Sequence, residues 1–160
     1  IEGIEPGGVL LLNADNAQFG RLAGKARAAG VRIVTFGAAE GTDAHLDRVA
    51  LHAECSCVSA NILGTEVTYK FGAPGRHLVG NSLAVLAVVK LAGADLALAA
   101  LSLAGMQAPQ GRGARVQLPV EGGDITLLDE SYNANPASMR ACLLYPSPTP
   151  PNRPRSRMPA

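Results

Sequence analysis

No charge sign dominates this sequence, and cysteine is scarce. The 160 residues carry 14 basic and 13 acidic side chains, a net charge of +1. So balanced a charge gives no support for a nucleic-acid partner, and we expect none. The three cysteines are an odd number without the spacing of a disulfide framework, which predicts a reducing, cytoplasmic setting. Cys55 and Cys57 also lack the second ligand pair that a zinc site needs, so no metal site is expected.

A long hydrophobic run is also missing. The longest apolar stretch, residues 78–105, is interrupted by Lys90 and Asp95. Each half is shorter than the ~20 apolar residues of a membrane span, so two buried helices are expected and no membrane association. Residues 1–5 have neither the basic nor the apolar region of a signal peptide, and they contain no Met, which suggests a fragment. With 48% apolar and 17% charged residues, the composition is that of a soluble globular protein, which we expect to be monomeric.

The N-terminal part predicts a β-α-β unit. Residues 9–12 are a continuous apolar run, typical of a strand covered on both faces. Residues 17–29 have apolar side chains at helical spacing, and residues 31–36 predict a second strand. The two strands should be parallel with a right-handed crossover. Asp15 or Asn16 is suited to cap the helix between them.

The pattern then alternates, which predicts antiparallel strands. Residues 45–58 and 66–71 are expected to pair in this way across a turn at 61–65. Helices are predicted over 78–91 and 95–104, each ended by a glycine. Strands at about 114–120 and 124–129 form a hairpin, and a helix is expected to start near Pro136. The fold class is therefore α/β.

The last residues differ in composition from the rest. Residues 146–160 contain six prolines and three arginines but no acidic residue. Such a segment buries too little apolar surface to fold, so we predict that it is disordered. It resembles an out-of-frame translation, and we expect it to be non-native; the alternatives are a basic nucleic-acid-binding tail or an SH3-type ligand.

The most informative motif is the polar segment that runs from Asp129 to Pro136, with the sequence Asp-Glu-Ser-Tyr-Asn-Ala-Asn-Pro. It follows an apolar strand and precedes a helix, and strand-to-helix junctions are where α/β proteins place ligands. The alternative is a turn in which Asp and Asn side chains accept hydrogen bonds from backbone N–H groups.

Two further positions favour nucleotide chemistry. His77 and Asn81 lie four residues apart at the start of an apolar helix, so they share a face. With the free N–H groups of a helix N-terminus they offer the donors and acceptors that a purine edge needs, although both could instead cap the helix. Arg112, between two glycines, has the donor fork suited to phosphate; Arg115 is a competitor, and a solvated turn is the alternative.

These motifs resemble, in chain order, those of the Mur ligases, and in particular of the UDP-N-acetylmuramoyl-tripeptide–D-alanyl-D-alanine ligases. The resemblance covers residues 1 to about 141 and includes the Asn-Ala-Asp-Asn turn at residues 13–16. This chain has Leu78 where the family has an Asn, so one polar group of the family motif is missing here. The resemblance implies that His77 and Asn81 lie by the adenine, that Arg112 reaches the nucleotide phosphates, and that Glu130 accepts from the ribose. It places the substrate cleft at Asp129, Ser131, Tyr132, Asn133 and Asn135.

The same resemblance implies the domains and the reaction. Residues 1–107 would be the later part of a central ATPase domain, residues 108–145 the first elements of a Rossmann-like C-terminal domain, and 146–160 the tail. The enzyme would use ATP and Mg²⁺ to form an acyl phosphate on UDP-N-acetylmuramoyl-tripeptide, which D-alanyl-D-alanine then attacks.

No glycine-rich loop ending in Gly-Lys-[Ser/Thr] occurs in the sequence. In the family that loop, the metal ligands and the carbamylated Lys precede the matching segment. The chain is therefore expected to hold no catalytic residue and to be an inactive interior fragment. The alternatives are a folylpolyglutamate synthase-like ligase and a non-catalytic nucleotide-binding module.

Overall fold

The computed structural model describes residues 1–107, 111, 114–129, 131–132, 136 and 139–140. Backbone contacts divide the chain into two units, Ile1–Gln107 and Ala108–Ala160. The first unit contains β1 (Val9–Asn13), α1 (Phe19–Ala28), β2 (Arg32–Gly37), β3 (Ala44–Leu51), β4 (Ser56–Ile62), β5 (Thr65–Phe71), α2 (Arg76–Leu91), α3 (Leu96–Ser102) and a 3-10 turn, Leu103–Gly105. The second contains β6 (Ala114–Val120) and β7 (Gly123–Asp129).

Five strands of the first unit form one mixed sheet in the order β1-β2-β3-β4-β5. β1 and β2 are parallel, with Val9 opposite Arg32 and Asn13 opposite Phe36, which confirms the predicted β-α-β unit. β3 joins β2 in parallel over a short stretch and then pairs antiparallel with β4. β4 and β5 form an antiparallel hairpin, as predicted, but residues 45–58, expected to be one strand, are divided between β3 and β4. The expected α/β fold class is confirmed.

The core lies between this sheet and its helices. Every second residue of β4 is buried, as the alternation in the sequence predicts. α2 packs on β2, β3 and β4 with one buried stripe of residues, and α3 packs on β5. The largest fully buried side chains are Ile62, Leu83, Leu86, Val58, Val79 and Ser56. No helix in the described part of the chain is long and apolar enough to cross a membrane.

α1 begins later than predicted. It starts at Phe19 rather than residue 17, and Gln18 is the N-cap residue without a side-chain hydrogen bond. Asn16 accepts from the backbone N–H of Gln18, ahead of the helix, and the carboxylate of Asp15 is used elsewhere. The prediction that Asp15 or Asn16 caps this helix is therefore wrong, because other backbone groups compete for both side chains.

The second unit is described mainly as a β-hairpin. β6 and β7 pair antiparallel, with Val116 opposite Leu127 and Leu118 opposite Ile125. These four side chains are on one face and are 41–53% exposed. On the opposite face, Gln117 and Thr126 form a reciprocal side-chain hydrogen bond.

Candidate functional site

The N-terminal end of α2 brings two of the predicted site residues together on the surface. Gly75, with φ 128°, is the N-cap residue, and no side chain caps the helix. His77 and Asn81 are exposed, and neither side chain forms a hydrogen bond to any described residue. The alternative that both cap the helix is therefore wrong. An imidazole and an amide that are free to bind stand one turn apart, beside the unpaired N–H groups of the helix start.

The exposed face of α2 changes character along its length. His77 and Asn81 are followed on the same side by Val85 and Val88, which are 50% and 53% exposed. Leu78, where the resemblance expects an Asn, is partly buried and offers only apolar surface. A ligand at the N-terminal end of this face would therefore meet two hydrogen-bonding side chains, while one further along would meet only methyl groups.

The Asn13–Asn16 turn has a structural role at the end of β1. The Asp15 carboxylate accepts hydrogen bonds from the backbone N–H groups of Ala38 and Ala39, at 2.8 and 2.9 Å. Gly37, with φ 144°, permits this approach, because a Cβ there would lie 2.5 Å from Asp15 Oδ2. Asp15 thus ties the end of β1 to the loop that follows β2. Both lie at the carboxyl edge of the parallel strands.

In the second unit, Asp129 and Ser131 form a tight turn at the end of β7. The backbone N–H of Ser131 donates to Asp129 Oδ1 at 3.1 Å, and that of Tyr132 donates to the Gly111 carbonyl, also at 3.1 Å. The Ser131 hydroxyl, the Ser131 backbone and the Gly111 backbone together lower the pKa of Asp129 from its usual value. Asp129 is therefore an ionised acceptor that organises this turn.

Replacing Ser131 with Ala is expected to raise the pKa of Asp129 towards its ordinary value, because the Ser131 hydroxyl is the largest of the influences that lower it. A carboxyl group with a lowered pKa stabilises the folded turn at neutral pH, and this contribution is lost as the pH falls through that pKa. Carbon-13 NMR titration of the Asp129 carboxyl measures the shift. Ser59→Ala, a hydroxyl removed from the first unit, is the control and should leave the titration unchanged. An unmoved pKa in Ser131→Ala would contradict the assignment.

Four predicted site residues, Arg112, Glu130, Asn133 and Asn135, lie outside the described residues. Arg115 lies in β6. Tyr132 is 67% exposed. The proposed phosphate and ribose contacts therefore stay predictions from the sequence.

Sequence reasoning missed three residues that hold α2 in place. Tyr69 of β5 and Ser82 of α2 are buried and hydrogen-bonded to each other at 2.7 Å. Lys90, near the end of α2, donates to the carbonyls of Ile62 and Leu63 at 2.8 Å each. A serine at an inward position of an apolar helix and a lysine in its last turn were the available signals, but neither identifies its partner.

Comparison with known proteins places this arrangement in a family. Residues 1–89 match the Mur ligase middle domain. The chain belongs to the Mur ligase family.

Relatives of more than one Mur ligase type resemble the chain. The UDP-N-acetylmuramate–L-alanine ligase of Streptomyces avermitilis is 34% identical over 144 residues, which are 89% of this chain and 30% of that protein. The UDP-N-acetylmuramoyl-tripeptide–D-alanyl-D-alanine ligase of Mycobacterium tuberculosis is 30% identical over 149 residues, covering 89% and 27%. The crystal structure of MurF from Acinetobacter baumannii superposes with a TM-score of 0.76 at 25% identity, covering 88% and 29%. The chain thus spans about 30% of the length of these Mur ligases.

Proposed function

We propose that this chain is part of a longer, cytoplasmic, ATP-dependent Mur ligase of peptidoglycan synthesis, in which the N-terminal end of α2 binds the adenine of ATP. The observation that carries the proposal is the pair His77 and Asn81, exposed and without hydrogen-bond partners among the described residues. The Asn amide can donate to and accept from the same purine edge, and the imidazole adds one donor or acceptor. Within this proposal, residues 1–107 belong to the central ATPase domain and residues 108–145 to the start of the C-terminal domain.

The phosphates and the metal need other residues. Among the described residues, no three His, Cys, Asp or Glu side chains come together in a way that could hold a metal ion. The sequence also contains no loop ending in Gly-Lys-[Ser/Thr]. The described residues thus offer groups for the nucleoside end of ATP but no three-ligand cluster for Mg²⁺, and we propose that the acyl-phosphate step depends on the rest of the enzyme. Arg112 and Glu130 are proposed to reach the phosphates and the ribose.

For the amino-acid substrate, we propose ligation of D-alanyl-D-alanine to UDP-N-acetylmuramoyl-tripeptide. The likeness to MurF, over 88% of this chain, supports it. The segment from Asp129 to Asn135 would face this substrate, with Asp129 already ionised in its turn. A second candidate is ligation of L-alanine to UDP-N-acetylmuramate, which the 34% identity to such a ligase favours.

One experiment separates these two reactions. Genomic sequencing on both sides of the region that encodes residues 1–141 gives the full reading frame, which is then expressed. We expect ATP-dependent phosphate release with UDP-N-acetylmuramoyl-tripeptide and D-alanyl-D-alanine, and none with UDP-N-acetylmuramate and L-alanine. The reverse preference would establish the second candidate. If neither pair releases phosphate, both candidate reactions are wrong.

A further inference from the structure

A short relay of hydrogen bonds connects β5 to the first turn of α2. The Ser82 hydroxyl donates to the Val79 carbonyl at 2.7 Å, and the Tyr69 hydroxyl lies 2.7 Å from Ser82 Oγ. Because the single Ser82 proton is used for Val79, Tyr69 is the donor to Ser82. Tyr69, Ser82 and Val79 are 6%, 2% and 0% exposed, so the relay is inside the core.

Burial favours the protonated form of Tyr69 that this relay needs. Burial raises the pKa of the Tyr69 phenol, an effect that the Ser82 hydrogen bond only partly offsets, so the phenol remains protonated and donates at ordinary pH. The nearby apolar side chains of α2, such as Leu83 and Leu86, contribute contacts without angular preference. Hydrogen bonds weaken steeply away from linearity, so the relay resists a rotation of the helix that packing alone would tolerate.

The last turn of α2 is hydrogen-bonded to the same hairpin, β4–β5. Lys90 Nζ donates to the carbonyls of Ile62 and Leu63 and to the hydroxyl of Thr65, all in or beside the turn between β4 and β5. Leu63 adopts φ 50°, a conformation that non-glycine residues rarely take, so its carbonyl is presented by an unusual turn. α2 is thus hydrogen-bonded to one β-hairpin at two places, near its middle through Ser82 and in its last turn through Lys90.

We propose that Tyr69 and Ser82 are positioning residues for nucleotide binding: their relay sets the rotation of α2 that presents His77 and Asn81 to the adenine. This inference rests on the proposed function. Ser82 directly follows Asn81, and Val79, where the relay ends, is two residues after His77. The Ser82–Val79 bond lies within α2 and turns with it, so a rotation that breaks the Tyr69–Ser82 bond also moves both polar side chains. A displacement of about 1 Å in a binding group is enough to weaken its contacts to a bound ligand.

A double-mutant cycle in the full-length ligase tests the proposal. Ser82→Ala leaves the Tyr69 hydroxyl buried without a partner, whereas Tyr69→Phe combined with Ser82→Ala removes both polar groups and should recover most of the lost stability. We expect the KM for ATP to rise by about five- to tenfold in the two single variants and in the double variant, with little change in kcat. A double variant with recovered stability but raised KM is the specific result, because a merely structural pair would recover both.

Ser102→Ala is the matched control. The Ser102 hydroxyl also donates to a helix carbonyl, that of Leu98, at 2.9 Å, but it is exposed on α3. Its removal should leave the KM for ATP unchanged.

A wild-type KM in the double variant would overturn the positioning role while the proposed function stands. A wild-type enzyme without ATP-dependent ligation would instead overturn the proposed function and this inference with it.

Discussion

Gly72→Ala is expected to destabilise the protein by about 3 kcal/mol, because an added Cβ would collide with backbone atoms that cannot easily move. The ideal Cβ would lie 2.5 Å from the Ala104 carbonyl oxygen and would also clash with that of Met106. The Gly72 N–H donates to the Leu103 carbonyl at 2.9 Å, which fixes this close approach. Gly72 is thus needed where the chain after β5 contacts the 3-10 turn.

Chemical denaturation of the 160-residue chain, followed by circular dichroism, measures this loss. Gly80→Ala is the matched control, because Gly80 lies inside α2 and a Cβ there meets nothing within 4 Å. An alanine in a helix interior is more favourable than a glycine, so this variant should gain up to about 1 kcal/mol. Equal stability of Gly72→Ala and the wild type would mean that the 3-10 turn moves away at little cost.

The local pattern of the sequence was enough to predict the β-α-β unit. Residues 9–12 are an apolar run, residues 31–36 are rich in β-branched residues, and the helical segment between them ends at Gly30; all of these are properties of neighbouring residues. The β4–β5 hairpin was predictable for the same reason, since alternation and a turn lie within one short segment. The parallel pairing of β1 with β2 then follows from the short crossover.

Contacts between distant residues were not predictable in this way. Asp is a common N-cap residue, and Asp15 stands just before α1. Its partners, however, are Ala38 and Ala39, which follow β2 and offer two backbone N–H groups instead of one. Lys90 resembles a solvated lysine in the last turn of a helix, but its acceptors lie in the hairpin turn before α2. In each case a side chain found several backbone partners at once, and this gain depends on the folded arrangement.

In the candidate site, too, features set by neighbouring residues were predictable and contacts between distant residues were not. The spacing of His77 and Asn81 predicted a shared face, and the structure adds that both are exposed and that Gly75 occupies the cap position. Ser82 could not be recognised as important from the sequence, because its partner Tyr69 lies on β5. The roles of Arg112, Glu130, Asn133 and Asn135 remain predictions from the resemblance.

Asn81→Leu in the full-length ligase is expected to raise the KM for ATP by about 30-fold. This corresponds to the loss of about two hydrogen bonds of ~1 kcal/mol each between one amide and a purine edge. Leu has the same number of side-chain heavy atoms and the same branching as Asn, and the position is exposed, so folding should be unaffected. Steady-state kinetics with saturating peptide substrates measure the change. Because adenine is remote from the transferred phosphoryl group, kcat should fall much less than KM rises.

The matched control uses the apolar part of the same helix face. Val88→Ala removes exposed methyl groups about two turns beyond Asn81 and should leave the KM for ATP unchanged. His77→Leu should have a smaller effect than Asn81→Leu, since an imidazole can provide one contact to the adenine through a given ring nitrogen and the amide can provide two. If Asn81→Leu and Val88→Ala have the same KM as the wild type, the adenine does not bind to this face. If Asn81→Leu and Val88→Ala raise the KM for ATP equally, the ligand lies along the whole exposed face of α2 and is held by apolar contact. Only then would the removal of methyl groups weaken binding as much as the removal of the amide.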